Sequence, residues 1–465
     1  MLGLLKLNWL LCSFFIVVGL TSAQPKNPFG NPLVPDMIAD ASIQVIDSVF
    51  YCYATTDGYD KGLETSGPPV VWKSRDFVNW SFSGCHFPSA VGQKYWAPST
   101  AVAANGKYYI YPTINEFMYA AVADSPDGPF KLLHEPDTFY LPYTPATFLK
   151  PKGSEPPQGI DAEIFIDDDK QAYVFWQRRH AARLNADMVT VDTSYTTIPT
   201  PHQEYSEGPI FFKRNSVYYY LYTLGGDEKY QYAYIMSRIS PLGPFEFPGN
   251  DIIATTNYER GIFGPGHGCV FNLPGTDEYY FAYLEFGRGS TNRQTYVNKL
   301  EFNDDGTIRP VDLTFDGVGA LYQITDEKKI TVVNSRASSI CPDLIIKYMK
   351  DSLFRRTESF VSQFAFDGAN GSRWVASPDD NDCWIIADLS KILTIKRSEV
   401  YFVRPTAGHA YTLEHSADGK TWTICGGHPD VKVQSPHVDN LDIKARYFRV
   451  KIQEGVKGIW EWNIY

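Results

Sequence analysis

Short apolar runs that alternate with polar turns recur along the first part of the chain. In the clearest example, an apolar run at Pro209–Phe212 precedes a polar turn and an aromatic-rich run at Val217–Thr223. Runs of this length and aromatic content are typical of paired antiparallel strands. We place the turn at Lys213–Asn215, because asparagine tolerates unusual backbone dihedrals.

The same unit of strand, turn and aromatic strand occurs five times. Its copies start at Ala39, Trp96, Ile160, Glu207 and Gly266. Repetition at intervals of roughly 45–65 residues indicates one supersecondary unit repeated around an axis. The sequence therefore predicts an all-β fold, with a five-bladed β-propeller over residues 24–320.

One polar or aromatic residue stands just ahead of the first strand in each copy. These residues are Asp40, Trp96, Asp161, Glu207 and His267. Each stands at nearly the same distance from the aromatic strand of its copy, so a circular repeat would place their side chains around one mouth of the axis. A folding requirement alone would not select this set, and the sequence predicts a functional site at the mouth.

Near Gly319–Lys329 the pattern changes, and we interpret residues 321–332 as a linker. Beyond it, short strands recur between turns. They are predicted at Ser398–Val403, Tyr411–Ser416, Arg446–Ile452 and Ile459–Tyr465. This spacing predicts a separate β-sandwich over residues 333–465. Ile340–Thr357 is the one segment in which a helix is expected.

Composition and charge favour a β-rich protein with aromatic surfaces that suit sugars. Aromatic residues make up 15% of the 465 residues, which favours strands and sugar-binding surfaces over helical bundles. The formal net charge is −11, and the acidic residues are spread along the chain. Because no basic stripe is present, nucleic acid is not expected as a partner.

The N-terminus has the pattern of a cleaved signal peptide. An apolar run from Trp9 to Leu20 leads to the small residues Thr21-Ser22-Ala23. We therefore predict a signal peptide at residues 1–23 and a secreted or periplasmic protein. No other segment is long and apolar enough to span a bilayer. The six cysteines left after cleavage permit one or two disulfides, and buried free thiols are an equal alternative.

Three carboxylates around one concave mouth suggest acid–base chemistry on a neutral, polar substrate. Hydrolysis of a glycosidic bond with inversion needs a general base that activates water and a general acid that protonates the leaving oxygen. A third carboxylate nearby can raise the pKa of the acid by like-charge repulsion and hold it in position. Asp40, Asp161 and Glu207 can fill these roles from separate blades.

Five motifs along the predicted propeller carry a family resemblance. They are NP…ADASI at Asn31–Ile43, WAPS at Trp96–Ser99, GIDAEIFID at Gly159–Asp167, EGP at Glu207–Pro209 and GPGHG at Gly264–Gly268. With these motifs in this order, the chain resembles glycoside hydrolase family 43. The resemblance implies a five-bladed enzyme that acts with inversion on arabinofuranosides, xylosides and related sugars.

By this resemblance, Asp40 is the general base, Glu207 is the general acid, and Asp161 modulates the pKa of the acid and orients it. Each of the last two has a neighbouring rival. Glu204 stands close to Glu207, and Glu163 follows Asp161 on the same face of the predicted strand.

The resemblance also implies substrate-binding residues. Trp96 would form an aromatic wall against the sugar, Arg293 would lie near the site, and His267 would contact substrate or, through water, a calcium or other ion at the axis. Blade packing for Trp96 and a structural role for His267 are the alternatives. Two positions depart from the family: Ala41, where proline is common, and Leu284, where histidine is often found. The second departure leaves the choice of substrate open.

The C-terminal part resembles a discoidin-like (coagulation factor type C) sandwich, a group that includes carbohydrate-binding modules. The resemblance lies in Phe366–Trp374, Tyr411–Trp422, Ala445–Val450 and Ile459–Tyr465. Members of this group commonly hold a structural calcium, and the matching ligands here are Asp367, Asn370, Ser372 and Glu461. A role in packing alone is an equal alternative to sugar binding.

We therefore expect a secreted, monomeric, inverting exo-glycosidase without an organic cofactor. Its substrate would be an oligo- or polysaccharide, and it would trim the side chains of plant polysaccharides. An α-L-arabinofuranosidase is the first expectation, and a β-xylosidase or a β-galactofuranosidase or galactosidase is the alternative. The alternative of another class is a propeller that binds carbohydrate without catalysis. A site for binding alone, however, has no need of three mutually repelling acids.

Overall fold

The computed structural model describes residues 30–34, 36–58, 62–84, 87, 94–102, 105–133, 159–191, 195–287, 292–323, 328–347, 355–369 and 372–465. The predicted signal peptide, Asn370 and part of the predicted linker lie outside the described residues. Within them the protein is all-β, as predicted, and its helices are short 3-10 segments at Gln177–Arg179, Asp227–Lys229, Ser362–Ala365 and Pro405–Ala407. No helix in these ranges has the length and apolar character needed to cross a membrane.

Five antiparallel sheets follow one another along the first part of the chain. The first sheet contains β1 (Ile38–Ile46), β2 (Val49–Gly58), β3 (Gly62–Ser74) and β4 (Trp80–Gly84). The second contains β5 (Tyr95–Val102), β6 (Tyr108–Ile114), β7 (Phe117–Met118), β8 (Ala121–Ala123) and β9 (Lys131–Leu132). The third contains β10 (Glu163–Ile166), β11 (Ala172–Trp176), β12 (His180–Arg183) and β13 (Thr196–Thr197).

The remaining two sheets repeat the same order. The fourth contains β14 (Ile210–Arg214), β15 (Val217–Leu224), β16 (Gln231–Ser237) and β17 (Ile252–Thr255). The fifth contains β18 (Gly266–Asn272), β19 (Tyr279–Gly287) and β20 (Asn292–Leu300). The first strands contact one another in a closed ring, β1 with β5, β5 with β10, β10 with β14, β14 with β18, and β18 with β1. The sheets are therefore the blades of a five-bladed β-propeller, which confirms the predicted fold.

The strand pair predicted at Pro209–Phe212 and Val217–Thr223 is present, but the turn between the two strands is shorter than predicted. β14 continues to Arg214, and only Asn215 and Ser216 form the turn. Both have left-handed backbone, with φ of 48° and 62°. Two such residues in succession match the right-handed twist of the strands they join. The prediction that placed Lys213 and Arg214 in the turn was wrong, because both pair within the sheet.

Aromatic rings fill the space between neighbouring blades. Phe175 of the third blade stacks on Phe211 of the fourth, with ring centroids 4.2 Å apart. Tyr232 of the fourth blade meets Phe281 of the fifth edge to face at 5.3 Å. Burial of such large rings contributes strongly to the stability of a core. This packing explains why every copy of the repeat carries an aromatic strand.

The segment before β1 closes the ring against the fifth blade. The backbone N–H of Leu33 donates to the carbonyl of Thr295 in β20 at 2.7 Å. The side-chain amide of Asn31 donates to Val297 O at 3.0 Å and to Thr314 O at 2.9 Å, and its oxygen accepts from Val297 N at 2.8 Å. Asn31 is buried, so these bonds are shielded from water.

The C-terminal domain is a β-sandwich, as predicted. Its strands are β21 (Asn334–Ala337), β22 (Leu344–Lys347), β23 (Arg355–Glu358), β24 (Trp374–Val375), β25 (Trp384–Phe402), β26 (His409–Ser416), β27 (Thr423–Lys432), β28 (His437–Glu454) and β29 (Gly458–Ile464). The order of the large sheet is β24-β29-β25-β28-β26-β27, with β21 beside β25. All four strands predicted for this domain are present, in β25, β26, β28 and β29.

The helix expected at Ile340–Thr357 was wrong. The segment contains β22 and the start of β23, which pair antiparallel from Leu344–Glu358 to Lys347–Arg355. β22 carries two successive isoleucines, and β-branched residues favour strands over helices.

The propeller and the sandwich share one hydrophobic cluster. Trp80 of the first blade belongs to the same group of buried side chains as Tyr401 and Trp460 of the sandwich. An isolated β-bridge also joins Phe82 to Ser435. The two domains therefore meet through a packed interface.

Because Asn31 closes the ring, Asn31→Ala should lower the free energy of unfolding by about 2–4 kcal/mol, since it leaves buried backbone groups of β20 without partners. Denaturant unfolding of the whole protein measures this change. Asn250→Ala, at an exposed position, is the control and should change stability by less than about 0.5 kcal/mol. An equal effect of the two substitutions would contradict the role given to Asn31.

Candidate functional site

The backbone at the mouth of the propeller is left-handed in four blades. Asp40, Ala97, Asp161 and Gly208 have φ of 50°, 47°, 63° and 52°. This conformation costs a non-glycine residue of order 1–3 kcal/mol and persists only where the surroundings hold it. β1, β5 and β18 also have irregular register at the same end. Such bulges re-aim side chains, here towards the axis.

The residues predicted from spacing therefore do not occupy the same backbone position in every blade, and two blades differ by one residue. In the first and third blades the left-handed residues are Asp40 and Asp161 themselves. In the second and fourth blades the left-handed residue follows Trp96 or Glu207. The five predicted positions still lie at the ends of the axial strands, but they are not strictly equivalent.

Asp40 is held from two sides. Nη1 of Arg293 donates to its Oδ1 at 2.8 Å, and the hydroxyl of Thr55 donates to its Oδ2 at 2.9 Å. Thr55 in turn accepts from the backbone N–H of Ala97 at 2.8 Å. The Asp40 carboxylate thus has a fixed plane and a positive charge beside it.

Arg293 is fixed by a fully buried aspartate, Asp57. Nε and Nη2 of Arg293 donate to the two oxygens of Asp57 at 2.9 and 3.0 Å. The backbone N–H of Arg293 also donates to Asp57 at 3.1 Å. A bidentate pair of this kind fixes both the position and the plane of the guanidinium. The third nitrogen, Nη1, is thereby directed at Asp40.

Asp161 is buried between the other two acids. Its backbone N–H donates to the hydroxyl of Thr113 at 3.0 Å, and its Oδ2 accepts from the N–H of Gly208 at 3.0 Å. Burial, followed by the negative charges of Glu207 and Asp40, raises the pKa of Asp161 well above its ordinary value. The structure therefore resists a full set of negative charges at the mouth.

Glu207 is the partly exposed member of the three. The hydroxyl of Tyr205 donates to its Oε2 at 2.9 Å, and the hydroxyl of Tyr230 donates to its Oε1. Burial and the charge of Glu207 raise the pKa of Tyr230 well above its ordinary value, so Tyr230 remains a donor. The backbone N–H of Glu207 donates to Thr223 at 3.0 Å.

His267 lies between two of the acids. Its Nδ1 is 3.5 Å from Oδ2 of Asp161 and 3.9 Å from Oδ1 of Asp40. Burial lowers the pKa of His267 to about 4, so the ring is neutral near pH 7. Gly208 touches this ring closely, since a Cβ on Gly208 would lie 2.9 Å from Cγ of His267. The glycine after Glu207 is thus required by both its dihedral and its neighbour.

Trp96 lies at the start of β5, opposite Thr113 in β6, and is partly exposed. This position is compatible with a wall beside the sugar, which stays a prediction. The rival acids are placed differently. Glu163 is engaged below the mouth by Ser99 Oγ at 2.7 Å and Phe211 N at 3.4 Å, and burial raises its pKa to about 7. Glu204 is exposed.

Six residues that hold the acids in place were not predicted from the sequence. These are Thr55, Asp57, Thr113, Tyr205, Thr223 and Tyr230. The threonines had a signal, because each ends a Tyr-x-x-x-Thr run in an aromatic strand: YCYAT, YIYPT and YYLYT. Asp57 had none, since its contact with Arg293 joins residues that are far apart in the sequence.

Leu284, at one of the two departures from the family, is buried against Ala39, Tyr230 and Phe286. It backs the ring of Tyr230 with apolar surface. Leucine at this position therefore packs against Tyr230, which binds Glu207, and all three acids keep their places.

The candidate calcium ligands of the sandwich lie partly together. Gly368 N donates to Oε2 of Glu461 at 3.0 Å, and the Ser372 hydroxyl donates to Oδ2 of Asp367 at 2.7 Å. Burial, opposed by Lys329 and reinforced by the charge of Asp367, raises the pKa of Glu461 to about 8. Asn370 lies outside the described residues. In the described part of the chain, no three His, Cys, Asp or Glu side chains are grouped so as to hold a metal ion.

Three cysteines of the described residues are buried free thiols, Cys52 and Cys269 in the propeller and Cys383 in the sandwich. This is the alternative to disulfides that the sequence left open for them.

The mouth has the chemical requirements for acid–base hydrolysis. Asp40 is a carboxylate with a fixed plane, Glu207 is a carboxyl group that reaches solvent, and Asp161 lies close enough for its ionisation to be opposed by both. Arg293 and His267 complete a polar floor.

Comparisons with known proteins identify the family of each domain. The model of glycosyl hydrolases family 43 matches residues 29–308, and the model of the F5/8 type C domain matches residues 350–464. A beta-D-galactofuranosidase of Aspergillus niger is 28% identical over 329 residues, which cover 64% of this chain and 89% of that protein. An arabinoxylan arabinofuranohydrolase of Bacillus subtilis is 28% identical over 359 residues, which cover 64% and 67%.

A solved structure of a glycoside hydrolase is similar across both domains. It is 67% identical, with a TM-score of 0.89, and the match covers 94% of this chain and 100% of that one. Because the family model matches most of the chain, and the chain folds as the five-bladed propeller expected from the resemblance, the protein belongs to glycosyl hydrolases family 43 and carries a C-terminal F5/8 type C domain.

Proposed function

We propose that the protein is a secreted, inverting exo-glycosidase, an α-L-arabinofuranosidase that trims the side chains of plant polysaccharides. The observation that carries the proposal is the convergence of Asp40, Asp161 and Glu207 at one mouth of the propeller, each held by different neighbours. The similarity to an arabinoxylan arabinofuranohydrolase supports the choice of sugar. Secretion rests on the signal-peptide pattern of residues 1–23.

Glu207 is proposed as the general acid. It is the member of the three that reaches solvent, and two tyrosine hydroxyls fix its oxygens. Because burial and the charges of Glu207 and Asp40 raise the pKa of Asp161, Asp161 can keep a proton that an isolated aspartate would lose. As the general acid, Glu207 delivers a proton to the leaving oxygen as the glycosidic bond breaks.

Asp40 is proposed as the general base. Arg293 and Thr55 each occupy one site on its two oxygens, and each oxygen has a further lone pair with which to accept a proton from water. The water would attack the anomeric carbon from the face opposite the leaving group, which inverts its configuration. Arg293, held by Asp57, keeps the carboxylate in the required plane.

A β-D-galactofuranosidase is the second candidate. The observation that favours it is the match to the Aspergillus niger galactofuranosidase over 89% of that protein. Arabinofuranose and galactofuranose are both five-membered rings and differ mainly in the exocyclic group, so one pocket can discriminate between them only weakly. A β-xylosidase, which takes a six-membered ring, remains the third candidate.

A panel of aryl glycosides tests the function and the sugar together. We expect hydrolysis of the aryl α-L-arabinofuranoside to be fastest, with weaker hydrolysis of the β-D-galactofuranoside and of the β-D-xyloside. Asp40→Asn, which should lose activity on aryl and natural substrates alike, is the control that excludes a contaminating enzyme. Sugar binding by the intact protein without turnover of any substrate would instead support a propeller that only binds carbohydrate.

The proposed roles of the two acids predict different responses to the leaving group. Glu207→Gln should reduce hydrolysis of natural linkages by about 10²–10⁴-fold and spare aryl substrates with good leaving groups, which need less protonation. Asp40→Asn should reduce both by similar factors, because the attacking water then lacks its base. Steady-state rates on a series of aryl leaving groups measure the difference, and equal residual activity of the two variants on every substrate would contradict the assignment.

We also propose a structural calcium in the sandwich. Asp367, Ser372 and Glu461 supply the hard oxygen donors that calcium prefers, and the raised pKa of Glu461 indicates a buried carboxylate whose charge is poorly compensated. At the propeller axis, His267 would reach an ion only through water. When bound, the sandwich calcium would supply charge and stability rather than catalysis.

The calcium proposal predicts a stability change that depends on pH. Without metal, protonated Glu461 stabilises the folded sandwich, because its pKa is raised by folding. This contribution to the free energy of unfolding is fully present below about pH 4.5 and is lost as pH rises towards 8. Calcium binds the ionised carboxylate, so at pH 8 and 100-fold above its Kd it should stabilise the sandwich by about 2.7 kcal/mol. At pH 5 the effect should be much smaller.

Calorimetry of the full chain, with calcium or with a chelator, measures this change. Glu461→Gln should abolish the difference at pH 8, whereas Glu454→Gln at an exposed position should preserve it. A melting transition that a chelator leaves unchanged at pH 8 would show that these side chains form only a polar turn.

A further inference from the structure

A cleft separates the first blade from the sandwich, and no part of the proposed mechanism uses it. It has a volume of about 580 Å³. We call it the interdomain cleft, and its walls include Tyr51, Lys73 and Arg75 of the first blade and Arg397, Glu399 and Tyr465 of the sandwich. The domains pack against each other beside it through Trp80, Tyr401 and Trp460.

The interdomain cleft is remote from the catalytic mouth. β2 contributes Tyr51 to the cleft and Asp57 to the mouth. These residues are six positions apart on one strand, and a strand rises about 3.4 Å per residue, so the two sites are about 20 Å apart. A ligand in the cleft therefore occupies a different site from the sugar at the mouth.

One wall of the cleft is a rigid network of aromatic and charged groups. The guanidinium of Arg397 lies 4.1 Å from the ring centroid of Tyr465. Glu399 forms an ion pair with Arg397, with 3.0 Å between Oε1 and Nε, and its Oε2 accepts from the hydroxyl of Tyr465 at 3.2 Å. Flat rings beside a few fixed polar groups suit a sugar, because its C–H face packs on the ring while its hydroxyls take the polar contacts.

A buried polar atom at the cleft lacks a partner. Asn463 lines the cleft with an exposed fraction of 3%, and its Oδ1 has no hydrogen-bond partner among the described residues. Buried side-chain oxygens nearly always accept a hydrogen bond. A ligand hydroxyl is the kind of donor that would satisfy this atom.

The charge of the cleft is opposite to that of the protein. Lys73, Arg75, Lys329 and Arg397 line the cleft against Asp76 and Glu399. Lys73 is paired with Asp127 at 2.7 Å and Arg397 with Glu399 at 3.0 Å, so Arg75 and Lys329 carry the positive charge that a ligand would meet. Asp76 is already engaged, since its Oδ1 accepts from two backbone N–H groups of its own turn. Arg75 and Lys329 are exposed at the cleft. In a chain with a net charge of −11, this local excess of positive charge favours an anionic ligand.

We propose that the interdomain cleft binds an oligosaccharide that carries a carboxylate, as a uronic acid unit does, and so attaches the enzyme to acidic parts of a polysaccharide. The tyrosine rings and Asn463 take the sugar, and Arg75 and Lys329 take the carboxylate. The site is independent of the three acids at the mouth, so its binding does not require turnover.

Calorimetric titration of the full chain carrying Glu207→Gln tests the proposal without hydrolysis. The probes are a xylo-oligosaccharide with one glucuronate substituent and the neutral oligosaccharide of the same length. The acidic probe should bind more tightly, and added salt should reduce the difference. Replacement of both Arg75 and Lys329 by alanine should weaken binding of the acidic probe by about tenfold or more.

Replacement of Lys299 and Lys391 by alanine is the matched control, because it removes the same charge at exposed positions outside the cleft. This variant should bind as the parent does. Tyr51→Ala should weaken binding of the acidic probe, as the double replacement of Arg75 and Lys329 (the cleft variant) does. Thermal unfolding verifies that each variant is folded.

Three results would overturn the proposal. They are no binding of the acidic probe, equal binding of the neutral probe, and equal loss of affinity in the cleft variant and its control. Loss of activity on every aryl glycoside, with binding in the cleft intact, would instead count only against the proposed hydrolase.

Discussion

The structure depends on how the propeller holds three acidic side chains at one mouth. Asp40, Asp161 and Glu207 would repel one another strongly in a site shielded from water. The propeller compensates one of these charges with Arg293, which bonds directly to Asp40 and is itself fixed by Asp57. The carboxylate of Asp161 accepts a backbone N–H from Gly208, and burial together with the charges of Glu207 and Asp40 raises its pKa. Asp40 therefore has a cationic partner, whereas burial and like charges favour the protonated form of Asp161. A base and an acid require this difference.

The same interactions close the propeller. Arg293 and Val297 both belong to β20, the last strand of the fifth blade. Arg293 bonds to Asp40 of the first blade, and Val297 bonds to Asn31 just before it. The seam that joins the ends of the ring therefore also sets the position of the proposed base. Threonine contacts between blades extend this coupling, because Thr55 of the first blade binds Ala97 of the second.

Much of the fold could be predicted from the sequence, because it is a repeat whose strands carry their own signals. The aromatic strands, the turns and the three acids recur at similar positions, so the blades and their common mouth followed from spacing. The turn at Asn215-Ser216 and the strand β22 were predicted incorrectly, because local polarity and length are weak guides to pairing. Asp57 could not be predicted, because its contact with Arg293 spans 236 positions of sequence and depends on ring closure.

The stereochemistry of the first product shows whether Asp40 directs water to the face opposite the leaving group. Proton NMR during the first turnovers of an aryl α-L-arabinofuranoside identifies the anomer released before mutarotation. We expect the β-anomer, which requires inversion in a single displacement. Release of the α-anomer would mean two displacements through a covalent intermediate and would contradict the roles given to Asp40 and Glu207.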